Sequence, residues 1–316
     1  MDHIFIINPS AGKGKQAETI APMAQALAQR HGLSVACHRT TSAQHTTELV
    51  RQIASLGRPV RFYACGGDGT LHYVVQGAVG FENAEVTCIP AGTGNDFLRN
   101  FGADSAKFAD PENLWDGDSM ELDLIECNGR YGLSIACFGV DARIGRDVHQ
   151  FSKYPFMSGI GGYVMSALYH GVRPIGRQWQ LVVDGVITQG AFAVVSVCNG
   201  RYYGGGFNPM PMAQLDDGKL NAIVVEGIGT YRFLRLFPKY KEGRLEDIAD
   251  YVTLYQPRVL ELRSQQPNVT VCLDGESVES TMAVVRLAKE KLRFFAPKGA
   301  NPNATVAVTQ DAKAYS

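Results

Sequence analysis

The stretch Val60-Arg61-Phe62-Tyr63-Ala64-Cys65-Gly66-Gly67-Asp68-Gly69-Thr70 restricts this chain to few folds. A mostly apolar run, too short for a helix, meets glycines on both sides of an acid. An apolar segment with helical spacing (Leu71, Val74, Val75, Ala78) follows at once. Strand, glycine turn, helix is the arrangement that brings backbone N–H groups close to phosphate oxygens. Asp68 is then placed to hold a metal or orient a hydroxyl, and Thr70 to cap the helix or touch a phosphate. The competing account is a tight turn whose glycines merely supply positive φ.

Two further stretches weigh against that account. Ile4-Phe5-Ile6-Ile7 runs into Asn8-Pro9-Ser10-Ala11-Gly12-Lys13-Gly14-Lys15, and Val86-Thr87-Cys88-Ile89-Pro90 runs into Ala91-Gly92-Thr93-Gly94-Asn95-Asp96-Phe97. Each is again a strand ending in small residues beside groups suited to a nucleotide. Lys13 or Lys15 would neutralise phosphate, Thr93 donate a hydroxyl, and Asn95 with Asp96 bind polar edges. Three such ends on one sheet would converge on a single crevice, where ligands of open α/β sheets bind.

The set NPSAGKGK, GGDGT and PAGTGNDFLRNFG resembles the diacylglycerol kinase catalytic family. That family includes soluble bacterial lipid kinases and sphingosine kinases and is distantly related to NAD kinases and phosphofructokinases. A fourth motif, Leu273-Asp274-Gly275-Glu276, extends the resemblance over most of the chain. GGDGT alone is shared with NAD kinases; the ordered set of four is more specific.

At 316 residues the chain exceeds the size at which one core usually suffices, so two domains are expected. A hydrophobic fraction of 45% with 19% charged residues is ordinary for a globular protein, and a net charge of −1 gives no electrostatic case for nucleic acid. Seven cysteines stand singly and form no CxxC pair, which supports neither a disulfide framework nor a zinc site. Most lie in apolar strand-like runs (Cys65, Cys88, Cys137, Cys198, Cys272) and read as small buried side chains in a reducing cytoplasm. The start, Met1-Asp2-His3-Ile4, lacks the features of a signal peptide. No apolar run reaches the length of a membrane span, so a lipid substrate would be met from the water side.

Residues 1–125 alternate strand and helix. Ile20, Met23, Ala24, Leu27 and Ala28 recur at helical spacing, and Thr40-Thr41-Ser42 would cap a second helix with a stripe at Leu49, Val50, Ile53 and Leu56. His45 and His72 fall at helix starts, where solvated or capping roles are expected. This order argues for a parallel sheet with helices on both faces, a three-layer α/β nucleotide-binding domain. From residue 126 the pattern changes to short strands with turn signals, expected to form a β-sandwich through 298. Hairpins are expected about Asn128-Gly129 and Asp184-Gly185. The last pair of strands, Ala283–Leu287 and Leu292–Ala296, would close the sandwich or return to the first domain. From Pro297 the chain reads as a frayed polar tail, with 299–316 outside both domains. Two amphipathic stretches, Tyr154–His170 and the basic Thr230–Arg244, would pack on the sheet or lie in an anionic membrane interface.

The resemblance assigns roles. Asn8, Pro9, Ser10, Ala11 and Gly12, with Thr40, Gly66, Gly67, Asp68, Gly69, Thr70, Leu71 and Thr93, would line ATP, with Thr41 an alternative to Thr40. Lys13 would approach the phosphates. Asp68 would hold Mg²⁺, and Asp96 and Asp123 match further acids of the crevice. Glu276, in the LDGE-type motif, would take the proton of the lipid hydroxyl, a function worth about 10²–10⁴-fold in rate; the alternative is an ordinary D-G hairpin turn with a solvated Glu. Asp217, with carbonyls of Gln214 and Lys219, matches a loop that holds a structural Mg²⁺ in the family; an acidic turn is the alternative. The implied protein is an ATP-dependent lipid kinase that phosphorylates diacylglycerol or another hydroxylated lipid. It would be cytoplasmic and transiently peripheral to the inner face of the membrane, with a homodimer left open. An NAD kinase, or a nucleotide-binding regulator that lost the chemistry, are the alternatives.

Overall fold

The computed structural model describes residues 1–92, 94–139, 142, 176–264 and 269–303. In chain order the strands and helices begin with β1 (Asp2–Ile7), α1 (Lys15–His31), β2 (Ser34–Arg39), α2 (Ala43–Ala54), β3 (Val60–Gly66), α3 (Asp68–Ala78), β4 (Ala84–Pro90) and β5 (Asp118–Leu122). They continue with β6 (Ile125–Cys127), β7 (Arg130–Gly132), β8 (Ile135–Gly139), β9 (Arg177–Val183), β10 (Val186–Cys198), β11 (Asn221–Glu226) and α4 (Thr230–Lys241). The last are β12 (Val252–Tyr255), β13 (Val259–Ser264), β14 (Val269–Leu273), β15 (Glu276–Ser280), β16 (Met282–Leu287) and β17 (Leu292–Ala296). The chain forms two units, one from Met1–Asp123 with the segment that returns at Lys289, the other from Leu124–Ala288.

The first unit holds a six-stranded sheet in the order β2-β1-β3-β4-β17-β5. β1 pairs in parallel with β2 on one side and with β3 on the other, so the strand order reverses about β1. The central strand β3 is buried at every residue, as an inner strand of a parallel sheet must be. It nevertheless carries Arg61, which lies directly across from Glu85 of β4 and donates to its carboxylate from Nε (3.1 Å) and Nη2 (3.0 Å). Arg293 of β17 donates to the other oxygen of Glu85 at 2.8 Å, and the Arg61 guanidinium lies over the Phe295 ring. The shared carboxylate ties the C-terminal strand into the N-terminal sheet.

Helix α2 starts at Ser42, whose hydroxyl accepts the His45 N–H, and packs so closely on α3 that a Cβ at Gly77 would lie 2.6 Å from the Thr47 carbonyl. His72 of α3 is buried at 1% exposure, where the sequence suggested a solvated or capping side chain. Leu56 is 59% exposed, because α2 ends at Ala54 before the stripe reaches it. Pro297–Asn303, expected to fray, is anchored instead: Gly299 N–H donates to Asp118 at 2.8 Å, and Ala300 is buried.

The second unit is an antiparallel sheet ordered β15-β14-β8-β10-β9-β13-β16-β6-β7, with β11 and β12 branching from β10. β8 and β11 alternate strictly, whereas β10 shifts register between Phe192 and Val194, so that Ala193 and Val194 both join the same core. Ile135 and Cys137 of β8, with Ile223 and Val225 of β11, join one core; Ala136 and Phe138, with Ala222 and Val224, join the other. The first core is covered by α4 through Phe233 and Tyr240. The second is enclosed by Leu181, Leu260, Leu262 and Val285 of β9, β13 and β16, the sandwich interior. The final strand pair therefore divides, β16 pairing with β13 and β6 while β17 pairs with β4 and β5. The apolar face of α4 is taken up by packing, leaving Tyr231, Arg232 and Arg235 exposed. The stretch Tyr154–His170 lies outside the described residues.

Candidate active site

The glycine turns after β1, β3 and β4 meet where the strand order reverses, the position at which an open α/β sheet leaves a crevice. Asn8 organises the first turn. Its N–H donates to the Cys65 carbonyl at 3.1 Å, its Oδ1 accepts the Ser10 N–H at 3.0 Å, and its Nδ2 donates to the Thr70 hydroxyl at 3.1 Å. Pro9 and Ser10 form an exposed turn, and Ala11–Gly14, which includes Gly12 and Lys13, continues as a single 3₁₀ turn. The β1 loop is thus tied to the first turn of α3. Thr70, offered as a cap or phosphate ligand, accepts the Asn8 bond with its hydroxyl oxygen, which a side chain at Gly66 would run into.

Gly67 is the N-cap of α3 and has no side chain with which to cap it, so the helix start presents backbone N–H groups around Asp68 and Gly69 while Leu71 is buried behind them. Gly92, in the β4 turn, faces Gly67: a Cβ at Gly92 would lie 2.5 Å from the Gly67 Cα. Asn95, at φ 50°, donates to the Gly92 carbonyl at 3.0 Å, which directs its amide into the loop itself. Asp68 Oδ1 accepts the Phe97 N–H at 3.1 Å. Its Oδ2 and that of Asp96 both border Gly94, 3.1 and 3.8 Å from where a Cβ would stand. Asp96 is 6% exposed and accepts Arg99 Nε at 3.0 Å.

Thr40 follows β2, buried, with its N–H on the Ile7 carbonyl at 2.9 Å; Thr41 is exposed and engages His45. Asp123 follows β5 at 2% exposure, 3.2 Å from Lys291 Nζ. Thr93 lies outside the described residues.

In the second unit, Asp274-Gly275 forms the two-residue turn joining β14 to β15, with φ of 51° and 93°, and Glu276 opens β15 opposite Leu273. Positive φ at both central residues defines a type I′ hairpin. Asp217 sits in an exposed turn, its Oδ1 accepting the Lys219 N–H at 3.0 Å, with Gln214 half-buried just before it.

Comparison with known proteins bears on both units. Residues 2–127 match the model of the diacylglycerol kinase catalytic domain, and residues 134–296, over half the chain, match that of the YegS C-terminal NAD kinase beta sandwich-like domain. The chain belongs to the diacylglycerol kinase catalytic family. A Bacillus subtilis protein named diacylglycerol kinase is 28% identical over 278 residues, 86% of this chain and 88% of its own. A Pseudomonas aeruginosa (PAO1) protein named "Probable lipid kinase YegS-like" is 27% identical over 292 residues, 90% and 93% of the two chains. A crystal structure of a Bacillus anthracis Sterne diacylglycerol kinase matches at TM-score 0.67 and 20% identity, covering 93% of this chain and 96% of that one, a likeness of fold. Membership supports a lipid kinase of the diacylglycerol kinase and YegS type.

Within the family frame, the acids near Gly94 suit a hard cation. Mg²⁺ takes oxygen ligands, commonly one or two carboxylates, and completes its shell with water and phosphate. Asp68 and Asp96 each bring one carboxylate oxygen to the Gly94 position, while among the described residues no cluster of three or more His, Cys, Asp or Glu that could hold a metal forms. Cysteine chemistry has no place here. Burial, then the charge of Asp68, pushes the Cys88 thiol up, and burial does the same to Cys65. Gly92, Gly94 and Asp274 are the residues that sequence reasoning left out of the site. The only signal for them was their small size or turn chemistry inside motifs already noted.

Proposed function

We propose that this chain transfers the γ-phosphoryl group of ATP to the hydroxyl of a lipid such as diacylglycerol. The observation that carries the reading is the joining of three glycine loops at the reversal of strand order, with Asn8 bonded to Thr70, Gly67 against Gly92, and two carboxylates about Gly94. Backbone N–H groups at the open start of α3 would receive phosphate oxygens, with Lys13 and Thr93 as further partners and Thr40 beside the end of β1. Asp68 and Asp96 would hold Mg²⁺, which when bound neutralises charge developing on the phosphates. Asp123 would add negative charge to the same network. Glu276, exposed enough at the start of β15 to meet a solute, would accept the proton of the lipid hydroxyl. A structural Mg²⁺ would sit on the Asp217 turn with the carbonyls of Gln214 and Lys219; added Mg²⁺ should then raise Tm, and Asp217→Ala should abolish that rise.

The test is a panel of diacylglycerol, phosphatidylglycerol and sphingoid bases in mixed micelles, with NAD as a soluble acceptor and labelled ATP as donor. Label should enter lipid, and Glu276→Gln should lower kcat by at least about 10²-fold with the ATP KM unchanged. Transfer to NAD but to no lipid would move the chain to the NAD kinase reading. Transfer to lipid at wild-type rate by Glu276→Gln would remove the base assignment.

A further inference from the structure

The Asp274-Gly275 turn does more than reverse the chain. Both oxygens of the Asp274 carboxylate accept backbone hydrogen bonds from the strand entry beside it. Oδ2 takes the Leu133 N–H at 2.6 Å, and Oδ1 takes those of Ser134 and Ile135 at 2.8 and 3.0 Å. The Asp274 N–H returns a bond to the Ile135 carbonyl at 3.0 Å. Hydrogen bonds to an ionised carboxylate are among the stronger ones a protein makes, and three from consecutive residues fix a direction as well as a distance.

The receiving segment is itself held. Asn199 Nδ2 donates to the Leu133 carbonyl at 2.8 Å, and the Asn199 and Gly200 N–H groups both donate to the Ser134 carbonyl at 2.9 Å. Asn199 is fully buried at the end of β10. A continuous run of bonds therefore leads from the middle of the sheet, through residues 133–135, to the hairpin tip whose next residue but one is Glu276. Gly132 leaves room for this approach, since a side chain there would meet the Leu273 side chain and lie 3.3 Å from Asp274 Oδ2.

Among the described residues, the Asn128-Gly129 and Asp184-Gly185 turns, also with positive φ at both positions, give the comparison. Asn128 Oδ1 accepts the Val284 N–H at 2.9 Å while its Nδ2 donates to the Met282 carbonyl at 2.8 Å, and Asp184 Oδ1 accepts the N–H groups of Arg258 and Val259 at 2.9 and 2.8 Å. Clamping a neighbouring strand is thus common to the three turns. The Asp274 turn differs in accepting three backbone N–H groups on its two oxygens, one of them at the shortest of these distances. It also differs in carrying a carboxylate immediately after the glycine, where Asn128 is followed by Gly129-Arg130 and Asp184 by Gly185-Val186.

From this geometry we infer that Asp274 is a positioning residue, clamping the β14–β15 turn to residues 133–135 so that the Glu276 carboxylate is held in the orientation from which it takes the substrate proton. The inference rests on Glu276 being the base. Asp274→Asn is the informative change: it keeps size and turn preference, yet places an amide donor against the Leu133 N–H or surrenders that bond. A loosened base is a defect of the chemical step, because misplacement by about 1 Å can cost 10²-fold in rate.

The experiment measures kcat, the ATP KM and Tm of full-length Asp274→Asn, Asp184→Asn, Glu276→Gln and the Asp274→Asn/Glu276→Gln double variant, with the best lipid acceptor. Asp274→Asn should lose about 10–100-fold in kcat with its ATP KM within twofold of wild type. Asp184→Asn, a clamp without a base, should lower Tm and leave kcat within twofold. The double variant should be no slower than Glu276→Gln alone, since a positioning group has nothing left to position. If Asp274→Asn does not fold, Gly132→Ala, which presses on the same turn from the other side, should show a smaller kcat loss with the same unchanged KM. A slow Glu276→Gln beside a fully active Asp274→Asn, or a double variant whose losses multiply, overturns the positioning role alone. A fully active Glu276→Gln overturns the base assignment and this inference with it.

Discussion

Replacing Gly92 with alanine tests whether the loops after β3 and β4 must touch for the site to work. The added Cβ would stand 2.5 Å from the Gly67 Cα and 3.1 Å from both the Gly67 N and Asn95 Oδ1. Carbon atoms in contact prefer about 3.5–4.0 Å, so the two loops must separate by roughly 1 Å, and the obstacle is backbone that cannot rotate away. Overpacking of this kind costs about 1–3 kcal/mol. The displaced atom belongs to the N-cap of α3, immediately before Asp68, so the same ångström shifts both the N–H groups proposed to receive phosphate and the carboxylate. A shift of that size accounts for about 10²-fold in kcat/KM for ATP. Gly67→Ala supplies an internal scale: its Cβ would be 3.2 Å from the Gly92 Cα, a conflict relieved by a few tenths of an ångström, so its defect should be the smaller. Steady-state kinetics with varied ATP, alongside thermal unfolding, would rank wild type above Gly67→Ala and Gly67→Ala above Gly92→Ala. A folded Gly92→Ala enzyme with wild-type kcat/KM for ATP would refute the claim that close approach of these loops builds the nucleotide site.

Two further expectations follow from groups away from the loops. His3 is buried in β1 with Nδ1 2.9 Å from the Tyr63 hydroxyl, and burial, then the Arg61 charge, lowers its pKa from 6.5 to about 4. The unfolded chain therefore binds a proton between those values that the folded chain refuses. Stability is full above pH 6.5 and falls by up to about 3 kcal/mol as pH drops to 4. Urea unfolding at pH 7 and pH 5 should show this loss, and His3→Gln should reduce it. Separately, the outer face of α4 presents Arg232 and Arg235 while its apolar face is packed, so contact with anionic vesicles should be reversible and weaken with salt. Arg232→Glu/Arg235→Glu should reduce vesicle co-sedimentation, and unchanged binding would take α4 out of the membrane-facing surface.

How far the sequence could be read depends on whether a residue's reason is local. The strand–glycine–helix order, the N-G and D-G turns and the period-two strands are decided within a few residues, and each stands where its pattern placed it. Asn128, Asp184 and Asp274 read identically on that scale, as residues that tolerate positive φ ahead of a glycine. Only folding reveals that the Asp274 carboxylate takes three N–H groups from a segment about 140 residues away. His72 is a second case: its place near a helix start is local, and its burial at 1% exposure is not. Glycine shows the distinction most plainly. Gly275 is needed for its φ of 93°, a property that an N-G or D-G pair announces. Gly92 has no positive φ to announce; it is small because Gly67 lies against it. The first kind of glycine shapes a turn anywhere, whereas the second brings two backbones together. The approach of that second kind, at Gly67 and Gly92, is what the proposed nucleotide site would depend on.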